Sequence, residues 1–185
     1  MSLDDSRIRI TQTPNPDAYM FHVTEALIPS GTHEFYANAD TSQSPLAELV
    51  LKHDGVELLL IASRFITVRK YKEASWDTLL EAVSTSLSSF LDSGEMAVFE
   101  SNQDAPQAEL GPVEEQILAL LDEEVRPAIA QDGGDVVYHG FVDGIVKLEL
   151  IGACGTCPSS TATLKYGIQN LLMEEIPEVT GVEQV

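Results

Sequence analysis

The stretch Ile145-Val-Lys-Leu-Glu-Leu-Ile151-Gly-Ala-Cys154-Gly-Thr-Cys157-Pro158-Ser-Ser160 changes character twice within sixteen residues. Its first half alternates. Val146, Leu148 and Leu150 face one way and Lys147 and Glu149 the other, which predicts a half-buried strand. Just upstream, Asp143-Gly144 is a tight-turn pair that joins this strand to an earlier one over Asp135–Phe141. Its second half predicts a helix capped by Ser159 or Ser160, with Leu164, Ile168 and Leu171 on the inner face. Cys154 and Cys157 therefore fall in a strand-to-helix loop. Before the hairpin lie Asp132-Gly133-Gly134-Asp135, read as a sharp turn, and a helix from Pro112 through Glu124 with Ile117, Leu120, Leu121 and Val125 as its stripe. Pro127 is expected to limit that helix. Val179–Val185 reads as a last strand.

Further outward, residues 96–112 are rich in Ser, Asn, Gln, Gly and Pro and show no hydrophobic periodicity; no Lys or Arg occurs from Glu73 through Val125. This predicts a flexible acidic linker between a domain over 1–95 and a domain over 113–185. In the first domain Ile8–Thr11, Met20–Val23, His33–Tyr36, Val56–Ile61 and Phe65–Arg69 read as strands. Ser44-Pro45 opens a helix ending near Lys52. A second helix runs from Ser75 to Leu91, with Trp76, Leu80, Val83, Leu87 and Phe90 on one face. The expected class is α+β: two small domains, each with helices packed on a mixed or antiparallel sheet.

Thirty acidic residues against ten basic ones give a net charge of −20. Nucleic-acid binding needs a basic stripe to neutralise phosphates. The nearest candidate, Arg64, Arg69, Lys70 and Lys72, reads as a solvated strand face. No apolar run approaches the ~20 residues a spanning helix needs, and the N-terminus carries neither a secretory nor an organellar leader pattern, so a cytoplasmic protein is the default. Walker-type loops, G-x-S-x-G and H-E-x-x-H motifs are absent, which points away from an enzyme.

The chemistry thus falls to Cys154 and Cys157, the two cysteines of the chain. The ligand form of cysteine is the thiolate, and a helix N-terminus favours it. Gly152 and Gly155 would let the backbone approach a bulky inorganic ligand. A cubane iron–sulfur cluster takes four thiolates; one chain offers two and a two-fold dimer four. A cluster bridging two chains would sit at the surface, open to competition from a recipient. Zinc in a shared four-cysteine site and a dithiol/disulfide oxidoreductase use the same pair. His22, His33, His53 and His139 have no ligand spacing to the loop, and Asp132 and Asp135 read as turn caps.

At these residues the sequence resembles a known family. Val125-Arg-Pro-Ala-Ile-Ala-Gln-Asp-Gly-Gly-Asp135, Gly152-Ala-Cys-Gly-Thr-Cys-Pro-Ser-Ser160 and Thr163-Leu164-Lys165 look like the C-terminal domain of NifU, shared by Nfu-type proteins. Thr11-Gln-Thr-Pro-Asn-Pro16, Gly31-Thr32, Ser44-Pro-Leu46, Asp54-Gly-Val56 and Phe65-Ile-Thr-Val68 resemble the Nfu N-terminal domain. The resemblance implies a [4Fe-4S] cluster held by paired C-x-x-C loops on Cys154 and Cys157. It also implies a homodimer when loaded, upstream cluster donors, and delivery to recipient apo iron–sulfur proteins.

Overall fold

The computed structural model describes residues 6–99, 111–155 and 158–185, by backbone alone over 158–163. The chain divides into two compact units, 1–102 and 103–185, each with its own hydrophobic core. The architecture is α+β throughout.

The first unit is a five-stranded antiparallel sheet with two helices. Its strands are β1 (Ile8–Gln12), β2 (Ala18–Val23), β3 (Thr32–Tyr36), β4 (Val56–Ala62) and β5 (Phe65–Lys70), in the order β1-β2-β5-β4-β3. Helix α1 (Pro45–Leu51) starts as the Ser-Pro pair predicts: the Ser44 hydroxyl accepts from the Ala47 N–H at 3.0 Å. The same hydroxyl donates to the Ala97 carbonyl at 2.6 Å. Ala97 and Val98, placed in the linker by their polar surroundings, are buried in this core, and the Phe99 N–H donates to the Gln43 carbonyl. The first unit thus holds its chain through Phe99. The rest of the expected linker, residues 100–110, lies outside the described residues.

Helix α2 (Trp76–Ser93) buries Leu79, Val83, Leu87, Phe90 and Leu91, while Trp76 and Leu80 are only partly covered. The helix is rotated from the expected stripe toward Leu79. Trp76 sits at its edge, its indole N–H donating to the Pro16 carbonyl and its ring edge-on to Tyr19 at 4.8 Å. Strand β4 is buried on both faces. Leu59 and Ile61 join the helix-side core, and Leu58 and Leu60 point the other way yet are equally inaccessible.

The second unit carries α3 (Pro112–Leu120), α4 (Arg126–Gln131), β6 (Gly134–Val142), β7 (Ile145–Gly152), α5 (Pro158–Glu175) and β8 (Gly181–Gln184). Its sheet has the order β6-β7-β8, antiparallel between the first two and parallel between the last two. Asp143 (φ 51°) and Gly144 (φ 82°) form the two-residue hairpin turn the sequence predicts.

Pro127 does not end its helix. Between α3 and α4 the chain makes one π turn, Leu121–Val125, and continues to Gln131. There the Arg126 N–H reaches the Leu121 carbonyl, five residues back. The wider turn accommodates a proline, which has no N–H for the carbonyl four residues earlier. Ile117, Leu121, Val125 and Ile129 are the buried side chains of the continuous rod. Helix α5 begins at Pro158, so Ser159 and Ser160 lie inside it rather than before it. Among its described side chains Ile168 and Leu172 are buried, with Leu164 and Leu171 partly covered.

Candidate cluster-binding loop

Two chain segments meet where β7 ends. On one side, Gly133 (φ 78°) turns the chain out of α4 and Gly134 begins β6; on the other, Gly152 (φ 72°) turns it out of β7. L-residues with side chains rarely adopt these positive φ values, so both glycines are conformational requirements. Gly134 and Gly152 pair in register, and the Ala153 N–H donates to the Gly133 carbonyl at 3.1 Å. The Asp-Gly-Gly-Asp turn and the cysteine loop are thereby one structure, although about twenty residues separate them.

Cys154 is the consequence. Its side chain is 1% exposed and belongs to the apolar core of the second unit. It lies directly on Gly134: a methyl group there would fall 2.8 Å from Cys154 Sγ, 3.0 Å from its Cβ and 2.7 Å from the Ile151 carbonyl oxygen. Gly155 likewise faces the chain's own backbone, since a methyl there would fall 2.6 Å from the Leu150 carbonyl oxygen. Gly155 thus serves close approach within the chain and Gly152 a positive φ, internal roles that the sequence alone did not reveal. Cys157 lies outside the described residues, so the expected pair is represented by Cys154 alone. Immediately beyond it, the eighteen-residue α5 presents its N-terminus to the loop. This is the end of a helix that favours thiolates and anionic ligands.

The turn is pinned from behind. Asp135, its carboxylate 8% exposed, accepts from Arg126 Nη1 at 3.0 and 2.9 Å and from the Val136 N–H at 2.7 Å. Arg126 Nε also lies 2.7 Å from Asp122 on the helix surface. Asp135 is therefore one half of a helix-to-turn ion pair rather than a simple cap. Sequence reasoning missed Arg126; the nine-residue spacing of opposite charges across the turn is its signal.

Near the start of the unit, the Tyr138 hydroxyl donates to Glu114 Oε1 at 2.7 Å and the Gly111 N–H to Glu114 Oε2 at 3.0 Å. The backbone bond, then that of Tyr138, holds the Glu114 carboxyl below its ordinary pKa. Burial, then the hydrogen bond and charge of Glu114, push the Tyr138 phenol well above its own. These bonds tie the start of α3 to β6. Among the described residues no group of three or more His, Cys, Asp or Glu side chains is placed to hold a metal ion, and no helix is long and apolar enough to cross a membrane.

Comparison with known proteins places both units in known domain families. Residues 117–183 match the NifU-like domain, and residues 8–94 match the domain described as the scaffold protein Nfu/NifU N terminal. Over 184 residues the chain is 41% identical to the human NFU1 iron-sulfur cluster scaffold homolog, mitochondrial, covering 96% of this chain and 71% of that protein. It is 38% identical to the NFU1 iron-sulfur cluster scaffold homolog, mitochondrial, of Drosophila ananassae, spanning 64% of its length. It is also 38% identical to the NifU-like protein 4, mitochondrial, of Arabidopsis thaliana, spanning 65%. A solution structure of a NifU-like protein from Saccharomyces cerevisiae shares 26% identity with a TM-score of 0.46, covering 51% of this chain and 85% of that one. These relatives overturn the cytoplasmic default: they are named as mitochondrial proteins and point to the mitochondrion. An N-terminus read for its lack of a leader pattern is no guide to compartment in a chain shorter than its relatives. By both domain matches and by its relatives, the chain belongs to the Nfu/NifU family of iron–sulfur cluster scaffold proteins.

Proposed function

We propose that the chain is a non-enzymatic carrier that takes up a [4Fe-4S] cluster as cargo on Cys154 and Cys157, shares it with a second copy of itself, and passes it to apo-proteins. The observation that carries this reading is the site's construction within the NifU-like match. Cys154 stands at the end of β7, a few residues before the N-terminus of α5. Two thiolates per chain cannot complete a cubane, so a pair of chains supplies four. The relatives' names, all of iron-sulfur cluster scaffolds or NifU-like proteins, support the cargo.

Transfer proceeds by ligand exchange. A recipient thiol gives up its proton as it binds iron, and the departing Cys154 or Cys157 thiolate takes one up, so no electrons are needed. Once all four carrier thiolates have left, nothing bridges the two copies. The first unit, in whose described residues no reactive constellation is found, serves recipient recognition, joined through the acidic linker. A chain lacking residues 1–99 should bind the cluster normally and load some recipients more slowly; unchanged loading of every recipient would exclude that role.

Anaerobic reconstitution with iron and sulfide tests the main proposal. The expected product is brown, dimeric, and holds about two irons per chain, and Cys154→Ala and Cys157→Ala abolish it. A colourless protein cycling between dithiol and disulfide would instead establish an oxidoreductase. Retained zinc without transfer would establish an interaction module.

A further inference from the structure

An iron–sulfur cluster binds through direct Fe–S bonds, so a thiol must reach the surface to accept one. Cys154 does not: it is 1% exposed, packed on Gly134 and counted in the apolar core. The pocket that receives it is assembled from distant parts. Gly134 floors it by having no side chain, and the Gly133–Ala153 hydrogen bond locks the two segments together. The Arg126–Asp135 pair pins the turn that carries Gly134. Gly133 and Gly152, both at positive φ, form the two turns that bring the segments together.

We propose that the iron-free chain sheathes the Cys154 thiol in this pocket, and that the thiol must leave it before a cluster can bind. This rests on the cluster-carrier reading and deepens it. The pocket competes with iron for the same sulfur. Cluster affinity is lowered by the fraction of chains whose thiol is out. A carrier gains twice: its empty ligand is shielded from oxidants, and its loaded form is biased toward release.

The test is thiol alkylation of the reduced, iron-free full chain. Cys157→Ser leaves Cys154 as the reporter and Cys154→Ser leaves Cys157. The iodoacetamide rate of each is divided by the rate of the same variant unfolded in guanidinium. We expect Cys154 to react about 100-fold more slowly folded than unfolded, corresponding to an open population near 1%. A folded rate within about threefold of the unfolded one overturns the proposal. Gly134→Ala in the Cys157→Ser background puts a methyl 2.8 Å from the sulfur, and should speed labelling at least tenfold while a cooperative melt is retained. A folded Gly134→Ala with unchanged labelling also overturns it. If that variant does not fold, Asp135→Asn, which weakens the pin, replaces it with the same expected direction. Because no iron is present, the outcome is separate from the carrier reading. A slowly labelled chain that takes up no cluster sinks only the carrier, and a rapidly labelled chain that takes one up sinks only the sheath.

Discussion

Replacing Asp135 by alanine removes the buried end of the Arg126–Asp135 pair. The carboxylate is 8% exposed and accepts from one guanidinium nitrogen and one backbone N–H. Hydrogen bonds to a charged group contribute about 1.5–3 kcal/mol. Stranding one partner of a fully buried pair costs about 3–5 kcal/mol. The Arg126 side chain is 33% exposed and keeps Asp122 beside it, so water and the second carboxylate relieve much of that stranding. A loss of about 2–3 kcal/mol is the resulting expectation. For a unit of this size that lowers its melting midpoint by about 10–20 °C. Asp135→Asn, which keeps neutral hydrogen bonds, should lose about 1 kcal/mol, and Asp122→Ala, a mostly exposed partner, less than about 0.5 kcal/mol. The assay is thermal and urea unfolding by circular dichroism, with fluorescence of Trp76, the sole tryptophan, reporting the first unit separately. The second transition should move and the fluorescence transition stay. A folded Asp135→Ala within 0.5 kcal/mol of the parent would refute the reading of this pair as the pin of the cysteine turn.

Three further outcomes are expected. His22 and His53 have pKa values lowered by burial and then by Arg9 and Lys52, respectively; each has a hydroxyl partner, Thr11 and Ser86. The unfolded chain therefore binds these protons first as pH falls. First-unit stability is full above about pH 6.5 and declines as pH drops through that value toward the lower folded pKa values. Comparing urea midpoints of Trp76 fluorescence at pH 7.5 and 5, the decline should shrink in a His22→Gln/His53→Gln variant. Ser44→Ala removes both a helix cap and the buried bond to Ala97, and should cost about 2–3 kcal/mol by the same fluorescence transition; a loss under 0.5 kcal/mol would mean that 97–99 are not held by it. Beyond residue 103 only Arg126, Lys147 and Lys165 carry positive charge against many carboxylates. Two copies meeting at a cluster therefore repel, and sedimentation of the loaded protein should show a dimer that tightens as salt rises from 20 to 300 mM.

Much of the fold was legible because local rules sufficed. Asp143-Gly144 specified its hairpin, Ser44-Pro45 its helix start, and the alternation of Val146, Leu148 and Leu150 the core face of β7. The misses were cases where a distant contact decided the matter. Met96-Ala97-Val98-Phe99 is a short apolar run in a polar stretch, and the Ser44 hydroxyl, the Gln43 carbonyl and the burial of Ala97 and Val98 in the first core make it part of the domain. Pro127 looked like a stop because proline usually is one, and a single wide turn absorbed it. The cysteine loop was legible as a location. The burial of Cys154 was not, since it depends on the missing side chain of a residue twenty positions upstream.

That wide turn also acts as a one-residue phase correction. In an unbroken α-helix each step of four residues overshoots a full revolution by about 40°. Ile117, Leu121, Val125 and Ile129 would then wind off the core instead of stacking on it. The π turn slows the winding where drift would otherwise accumulate. It also sets the direction in which Arg126 leaves the rod, toward Asp135. Deleting one residue between 121 and 125 would leave the composition and helix content nearly unchanged, yet it would turn everything beyond by about 100°. The arginine would then lose its carboxylate, and Ile129 its place in the core. The grip on the cysteine loop is thus set by helix phase as much as by the residues that form it.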